Sequence, residues 1–231
     1  MKSIIPSQSS AGLTVSRRRF LRGTSWAALF LTVPGAFAEE LTRPSAKTAR
    51  VSEGPFYPPK LPLDTDNDLI LINDSLTPAI GEIVHLSGRL LDAKGDPIRN
   101  AAIEIWEADH SGVYLADQSK QSKYDANFQG FGRFLTGSTG EYYFRALKPA
   151  CYPGRQAPHI HFKVKVKGRD PWTTQLFIKG HPGNQKDSLW RSIGDQAARD
   201  SVTVDFKPLP GSRAGELSAR FDLMPGITPE G

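Results

Sequence analysis

The sequence predicts an all-β fold, a two-sheet β-sandwich with long loops and one minor helix. Short runs in which apolar and polar residues alternate recur along most of the chain, as expected for half-buried strands. The 231 residues include 21 Gly and 18 Pro, which suits many strands joined by turns. A hydrophobic content of 39% and a charged content of 23% indicate a folded globular domain.

The strand candidates begin at residue 83, where apolar residues occupy alternate positions up to residue 90. Lys94-Gly95 is a turn signal between the first two candidates. The further candidates are residues 102–107, 132–136, 142–145, 159–167, 172–178, 201–206 and 216–223. One short helix is predicted around residues 188–193. Strands at this spacing, separated by Gly, Pro, Asn and Asp, indicate a sandwich or barrel.

Residues 1–38 are predicted to be a twin-arginine signal peptide, and residues 39–231 the folded domain. Arg17-Arg18 precede a short apolar stretch and then Ala36-Phe37-Ala38, an A-x-A cleavage pattern. The apolar stretch, residues 26–33, is too short to span a bilayer. A membrane anchor and a chance basic arm are the alternatives. We therefore expect a periplasmic or secreted protein.

The net charge of +5 comes entirely from this leader, which holds five basic residues and no acidic one. Subtracting these five from 29 leaves 24 basic residues against 24 acidic ones. The mature chain is therefore expected to bind neither nucleic acid nor an anionic membrane. Cys151 is the only cysteine, so an intrachain disulfide is excluded, and we expect a buried, inert thiol.

Two histidines one residue apart open the strand candidate at residues 159–167. Successive side chains of a strand point to opposite faces, so Ile160 and Phe162 are expected to face the core. His159 and His161 then share the other face, where their rings can converge on one ion. The alternative is that they are two ordinary histidines on a polar face. For an isolated His-x-His motif, this alternative would be the better interpretation.

Tyr114 and Tyr152 shift the interpretation towards a metal centre with four ligands, namely these two phenols and the two imidazoles. A phenol has an unperturbed pKa near 10 and binds a metal at neutral pH only when the metal displaces its proton. A hard, highly charged ion such as Fe(III) can do this. Zinc sites prefer Cys, His and carboxylate ligands.

With these residues in place, the chain resembles the intradiol ring-cleavage dioxygenases of the protocatechuate 3,4-dioxygenase and catechol 1,2-dioxygenase type. The resemblance covers roughly residues 53–182 and depends on the order of its segments. The segments are Gly54-Pro55-Phe56-Tyr57, Gly88-Arg89-Leu90-Leu91-Asp92, Ala102-Ile103-Glu104-Ile105-Trp106, Tyr114, residues 127–133, residues 139–145, Tyr152-Pro153, Pro158-His159-Ile160-His161-Phe162, Thr174-Gln175-Leu176-Phe177 and Gly180-His181-Pro182.

The resemblance implies one non-haem Fe(III) ion per chain. Tyr114 and His161 would be its equatorial ligands, and Tyr152 and His159 its axial ligands, with Tyr152 leaving when substrate chelates the iron. The substrates would be O2 and a small aromatic diol, which is cleaved between its two hydroxylated carbons to a muconate-type diacid. Catechol, protocatechuate, hydroxyquinol and substituted aromatics all fit, and a homo-oligomer is left open.

The resemblance also assigns a pocket. Pro55, Tyr57 and Trp106 would contact substrate, and Gln175 would be a pocket glutamine near the oxygen site. One departure concerns the arginine that in the family sits three residues before the first histidine and stabilises ketonised substrate. Here Gln156 has that position and Arg155 lies one residue earlier. The catalytic assignment of Arg155 therefore depends on a shift of its loop.

Two other classes of protein compete with the enzymatic interpretation. Residues 88–102 also resemble small β-sandwich binding modules, such as carboxypeptidase regulatory-like or carbohydrate-binding domains. A zinc hydrolase is disfavoured because no Asp or Glu lies at ligand spacing beside the two histidines. The family segment begins 15 residues after the predicted cleavage site, which leaves no room for the helical dimerisation domain of catechol 1,2-dioxygenases. A compact, protocatechuate-type subunit is therefore expected.

Overall fold

A computed structural model of the chain describes residues 47–73 and 75–228, all of which fall in one compact unit. The predicted signal peptide lies outside these residues. No helix within the described ranges combines the length and the apolar character that crossing a bilayer requires.

The described residues form two mixed sheets. The nine strands are β1 Ile83–Arg89, β2 Ala102–Trp106, β3 Phe131–Leu135, β4 Glu141–Leu147, β5 His159–Lys165, β6 Trp172–Ile178, β7 Thr203–Val204, β8 Lys207–Pro208 and β9 Leu217–Arg220. One sheet has the order β4-β1-β9-β8 and the other β3-β2-β5-β6-β7. The pairs β1–β9 and β6–β7 are parallel, and the remaining pairs are antiparallel. The predicted two-sheet, mostly β architecture is confirmed.

The main core lies between the two sheets and takes alternate side chains from each. In β5, Ile160, Phe162 and Val164 are buried in this core, as the alternation predicts. The Phe162 ring meets Phe221 at a centroid distance of 5.2 Å and Tyr142, on β4 of the other sheet, at 6.1 Å. The other face of β5 is therefore free to carry functional groups.

The region after β6 differs from the sequence prediction. The expected helix is present as α1, Ser188–Ser192, but a second helix, α2, follows at Gln196–Asp200. The expected strand over 201–206 is reduced to the two residues of β7, because α2 extends the helical region up to its edge. Two 3-10 helices, Gln118–Lys123 and Asn184–Lys186, also lie in loops for which the sequence predicted no regular structure.

Gly88 allows β1 to approach the chain that follows β9. A Cβ at this position would collide with the backbone carbonyl of Phe221, which accepts a hydrogen bond from the Tyr142 hydroxyl. We expect Gly88→Ala to lower the free energy of unfolding by about 1–3 kcal/mol, because the strands must separate to admit the methyl group. Chemical denaturation measures this, with Ser87→Ala, on the outward side of β1, as the near-neutral control. Equal stability of the two variants would contradict the close packing.

Candidate active site

A row of side chains crosses the outer face of the five-stranded sheet. Trp106 on β2 lies opposite Phe131 on β3 and His161 on β5, and His161 lies opposite Gln175 on β6. The rings of Trp106 and His161 stack with centroids 4.7 Å apart and an interplanar angle of 10°. His159 is two residues before His161 on the same face, and the two imidazole centroids are 4.8 Å apart. Both histidines are buried.

Tyr114 is brought to this face by a tight loop after β2. The carboxylate of Asp109 accepts hydrogen bonds from the backbone N–H groups of Ser111 and Val113, and the chain turns back so that Tyr114 pairs with Ala108. Gly112 has φ +80°, which suits glycine, and a Cβ here would press on Tyr152. The loop therefore fixes the buried Tyr114 ring beside the two histidines.

Tyr152 and Arg155 are presented by a four-residue turn. Each donates its backbone N–H to the carbonyl of the other, and the two central residues are Pro153 and Gly154, with Gly154 at φ +90°. Proline followed by a glycine with positive φ is typical of a type II turn. Paired residues at the ends of such a turn project to the same side, so Tyr152 and Arg155 both reach His159.

Four donor atoms converge at this place. The Tyr114 hydroxyl lies 3.2 Å from Nε2 of His159 and 3.1 Å from Nε2 of His161. The Tyr152 hydroxyl lies 3.4 Å from Nε2 of His159, and Nη1 of Arg155 lies 3.1 Å from the same nitrogen. Three groups thus crowd around an Nε2 atom with a single lone pair, which cannot accept a full hydrogen bond from each. A cation between the four donors would relieve this crowding.

The protonation states suit such a cation. Burial, with the charge of Arg155, lowers the pKa of His159 to about 3, and burial together with His159 lowers the pKa of His161 well below its ordinary value. Both imidazoles are therefore neutral and can act as ligands. Nδ1 of His159 donates to the carbonyl of Ala157 at 2.8 Å, which leaves the lone pair on Nε2.

The two phenols are protonated in the absence of a metal. Burial, with the neighbouring Tyr152, raises the pKa of Tyr114 well above its ordinary value, and burial also raises the pKa of Tyr152. Binding as phenolates thus requires an ion that displaces protons. The set of two imidazoles and two phenols therefore fits a hard trivalent ion, and Tyr114, Tyr152, His159 and His161 stay the predicted ligands.

Arg155 lies in the site despite its displacement by one residue from the family spacing. Its Nη2 donates to Oε1 of Gln175 at 2.8 Å, and its Nε donates to Asp187 at 3.0 Å. Gln156 is exposed, and its backbone carbonyl accepts a hydrogen bond from the Cys151 thiol. The guanidinium of Arg155, and not the side chain of Gln156, therefore lies beside His159 and Gln175. Cys151 is exposed, so the expectation of a buried thiol is wrong.

The loop before Lys60 covers the site with aromatic rings. Phe56 stacks on Tyr114, with centroids 4.6 Å apart and an interplanar angle of 14°. Tyr57 instead contacts Trp106 edge-to-face at 5.1 Å and donates its hydroxyl to Glu104. Pro55 is exposed in the same loop. Trp106 thus touches both the loop and a predicted ligand, whereas the hydroxyl of Tyr57 is bound to Glu104.

Three residues of this region were not predicted from the sequence, namely Phe56, Glu104 and Asp187. Phe56 lies between Pro55 and Tyr57, two residues that were singled out, but its contact with Tyr114 is not indicated by the sequence. Glu104 alternates as an outward strand residue, yet it is fully buried under Tyr57. Asp187 precedes a helix and is recognisable only as an N-cap. The three contacts are tertiary, and their partners lie far away in the sequence.

Within the described ranges, no group of three or more His, Cys, Asp and Glu side chains is placed to hold a metal ion. The four-donor centre combines imidazoles with phenols instead. A buried recess where convergent polar groups with shifted pKa values meet an arginine is typical of an enzyme active site. The fold and the site thus define an enzyme built on a β-sandwich.

Comparison with known proteins identifies the family. The family model described as Dioxygenase matches residues 52–218, and the curated relatives are intradiol enzymes, so the chain belongs to the intradiol ring-cleavage dioxygenase family. The protocatechuate 3,4-dioxygenase beta chain of Burkholderia cepacia is 32% identical over 155 residues, 63% of this chain and 65% of that one. The hydroxyquinol 1,2-dioxygenase of Rhizobium sp. (strain MTP-10005) is 29% identical over 196 residues, 76% and 61% of the two chains.

Solved structures agree with the fold. The dioxygenase domain of a dioxygenase–carbohydrate-binding protein fusion from Streptomyces sp. SirexAA-E has a TM-score of 0.61 at 26% identity, covering 79% of this chain and 100% of that one. Catechol 1,2-dioxygenase from Acinetobacter sp. ADP1 has a TM-score of 0.58 at 26% identity, covering 76% and 61%. The chain spans less than two thirds of the length of the two curated relatives above.

Proposed function

We propose that this protein is a non-haem Fe(III)-dependent dioxygenase. It cleaves the ring of a small catechol-type aromatic between its two hydroxylated carbons with O2 and releases a muconate-type diacid. The observation that carries the proposal is the convergence of Tyr114, Tyr152, His159 and His161 on one point. The family to which the chain belongs supports the same reaction, and the binding-module alternative is not favoured.

The donor set explains why iron is the proposed ion. Two neutral imidazoles and two phenolates would leave a ferric centre with one positive charge, which attracts a dianionic chelating substrate. Tyr114, Tyr152, His159 and His161 would hold the ferric ion, which when bound would act as a Lewis acid on the diol and activate its ring towards dioxygen. The side chains of this protein would bind the substrate, transfer its proton, stabilise developing charge and exclude water.

The two tyrosines differ in a way that suits different tasks. Tyr114 is 2% exposed and stacked under Phe56, so it is fixed in place. Tyr152 is only partly buried and belongs to a turn whose neighbours Cys151, Pro153 and Gly154 are exposed. Tyr152 is therefore the ligand that can swing out. Its hydroxyl, with a pKa that burial raises, can then hold a proton taken from the substrate.

Arg155 and the aromatic rings complete the proposed pocket. Nη1 of Arg155 lies 3.1 Å from Nε2 of His159 and can donate to a substrate oxygen that becomes negative during the reaction. Gln175 holds the guanidinium from the side. Phe56 and Trp106 lie against Tyr114 and His161 respectively, and we propose that they exclude water from the reacting ring.

Purified protein supplied with ferric iron tests the proposal. We expect a strong visible absorption from iron-bound tyrosinate, and consumption of O2 with formation of a ring-opened diacid. Catechol, protocatechuate and hydroxyquinol form the panel, because the curated relatives are named for these compounds. Resorcinol is the matched control, because its two hydroxyl groups are not adjacent and cannot chelate one ion. A colourless, iron-loaded protein that opens none of the rings would contradict the proposal.

We also propose that the protein is exported through a twin-arginine route, so that it acts in the periplasm or outside the cell. The paired Arg17 and Arg18 with the A-x-A pattern support this. Fusing residues 1–38 to a reporter that is active only after export tests the idea. Replacing both arginines by lysine is expected to stop export, and unchanged export of that variant would count against the route.

A further inference from the structure

The carboxylate of Asp187 is fully buried and accepts three hydrogen bonds. Oδ2 accepts from Nε of Arg155 at 3.0 Å and from the backbone N–H of Ala157 at 3.2 Å. Oδ1 accepts from the backbone N–H of Trp190 at 3.0 Å, so the residue also caps the N-terminus of α1. The side chain of Asp187 has 0% relative exposure and that of Arg155 15%. Solvent therefore competes little for this ion pair.

The guanidinium of Arg155 is held on two sides. Asp187 takes Nε, and Gln175 takes Nη2 at 2.8 Å, while the amide of Gln175 is itself anchored to the carbonyl of Ser52 at 2.8 Å. A planar guanidinium with two of its nitrogens fixed has its third direction determined. Nη1 accordingly points at Nε2 of His159, at 3.1 Å.

Asp187 also binds the chain on both sides of Gln156, the residue that occupies the position of the family's arginine. The two groups that Oδ2 holds belong to Arg155 and Ala157, which flank Gln156. Gln156 itself is exposed. The extra residue between the turn and His159 is thus turned outward, and the chain is clamped on both sides of it by one carboxylate oxygen.

We propose that Asp187 is a positioning residue for the reaction, which holds Arg155 at the centre by clamping the chain on both sides of Gln156. This inference rests on the proposed function. It assigns the chemistry to Arg155, which faces the reacting atoms, and only the geometry to Asp187. Misplacing a charged donor by about 1 Å can cost up to about 100-fold in rate.

Two substitutions separate this task from the helix cap. Asp187→Asn keeps an oxygen for the N–H of Trp190 but places an amide towards Arg155, and Asp187→Ser keeps a good cap without a carboxylate. We expect both to lower kcat by about 10- to 100-fold with KM within about twofold, while the visible band of the iron-loaded protein is unchanged. Asp195→Asn, at the N-cap of α2, is the matched control and is expected to keep the wild-type kcat.

A double-mutant cycle with Arg155→Lys distinguishes positioning from general damage. Lysine cannot reach Asp187 and the centre at once, so Asp187→Asn is expected to change kcat by less than about twofold on that background. A wild-type kcat in folded Asp187→Asn and Asp187→Ser would overturn the inference. So would a loss of activity accompanied by a loss of the visible band, because Asp187 would then act on the iron centre and not through Arg155.

Failure of the proposed function is recognised separately. A wild-type protein that is colourless and inactive counts against the iron enzyme before any variant is compared. The clamp is then tested by the crystal structure of Asp187→Ser, in which the guanidinium of Arg155 is expected to leave its place between Gln175 and His159. An unmoved guanidinium would overturn the inference whatever the activity.

Discussion

Replacement of His161 by alanine is expected to abolish ring cleavage and to lower the iron content of the protein, and with it the visible absorption of the proposed centre. His161 is 1% exposed, and its Nε2 lies 3.1 Å from the Tyr114 hydroxyl. Loss of a ligand removes several kcal/mol of charge stabilisation, which corresponds to a decrease in rate of at least about 10³-fold. Tyr152→Phe is also expected to abolish ring cleavage, and to weaken and shift the visible band, because a phenyl ring cannot bind iron and Tyr114 is then the remaining phenol donor. Absorption spectroscopy, iron content and O2 uptake measure the outcome.

The matched controls for these variants are an imidazole and a phenol that are not among the four donors. His110→Ala removes an exposed imidazole, and Tyr143→Phe removes a hydroxyl that contacts His85 on the other sheet. Both controls are expected to keep colour and activity. Wild-type iron content together with an unchanged visible spectrum in both His161→Ala and Tyr152→Phe would refute the assignment of the ligands. The experiment therefore tests the centre independently of which diol is the substrate.

Replacement of Glu104 by alanine is expected to destabilise the protein by about 2–4 kcal/mol. The buried carboxylate accepts hydrogen bonds from Arg133, Lys165 and the Tyr57 hydroxyl. Removing one member of a buried ion pair costs about 3–5 kcal/mol, and here Arg133 and Lys165 are 41% and 38% exposed, so partial solvation lowers the cost. A decrease in Tm of about 5–15 °C is expected, and calorimetry measures it.

An exposed ion pair of the same type provides the control. Glu82 and Lys148 lie 2.8 Å apart with 45% and 40% of their side chains exposed, so Glu82→Ala is expected to cost at most about 1 kcal/mol. Similar losses for Glu82→Ala and Glu104→Ala would show that burial of Glu104 adds nothing.

The same carboxylate predicts a loss of stability in acid. Burial opposes ionisation of Glu104, but hydrogen bonds from Lys165, Arg133 and Tyr57 outweigh it and hold the pKa below its ordinary value of 4.5. The ionised pair thus stabilises the fold above pH 4.5, and this contribution disappears as the pH falls through the lowered pKa. Denaturation curves of wild type and Glu104→Ala are expected to converge in that acidic range. A difference that stays constant down to pH 2 would contradict the ionic role.

The sequence was sufficient for the sandwich because alternation in strands such as β5 is a local property. It was insufficient for 196–208, where one helical turn and two very short strands replace the expected strand. Asp195 caps the N–H of Ala198, but a helix of five residues has little stability of its own and forms through tertiary packing. Such an element leaves a weak pattern in the sequence.

For the active site, the ordered motifs allowed the four donor residues to be proposed together. The position of Arg155 could not be derived from its spacing to His159. The turn at Pro153-Gly154 and the exposed Gln156 let the Arg155 side chain reach the site although it lies one residue earlier than in the family. Asp187 and Phe56 contact the site only through folding, with partners 32 and 58 residues away in the sequence. A single sequence carries no local signal for such pairs.

The two faces of β5 have different tasks: one packs in the core, and the other carries side chains of the site. Even-numbered positions from 160 to 164 hold the sheets together, whereas 159 and 161 present the imidazoles of the proposed centre on the reverse side. Variation in the loop that covers the site can therefore change turnover without disturbing the residues that pack between the sheets. A directed-evolution library confined to that loop should accordingly retain a high proportion of well-folded clones.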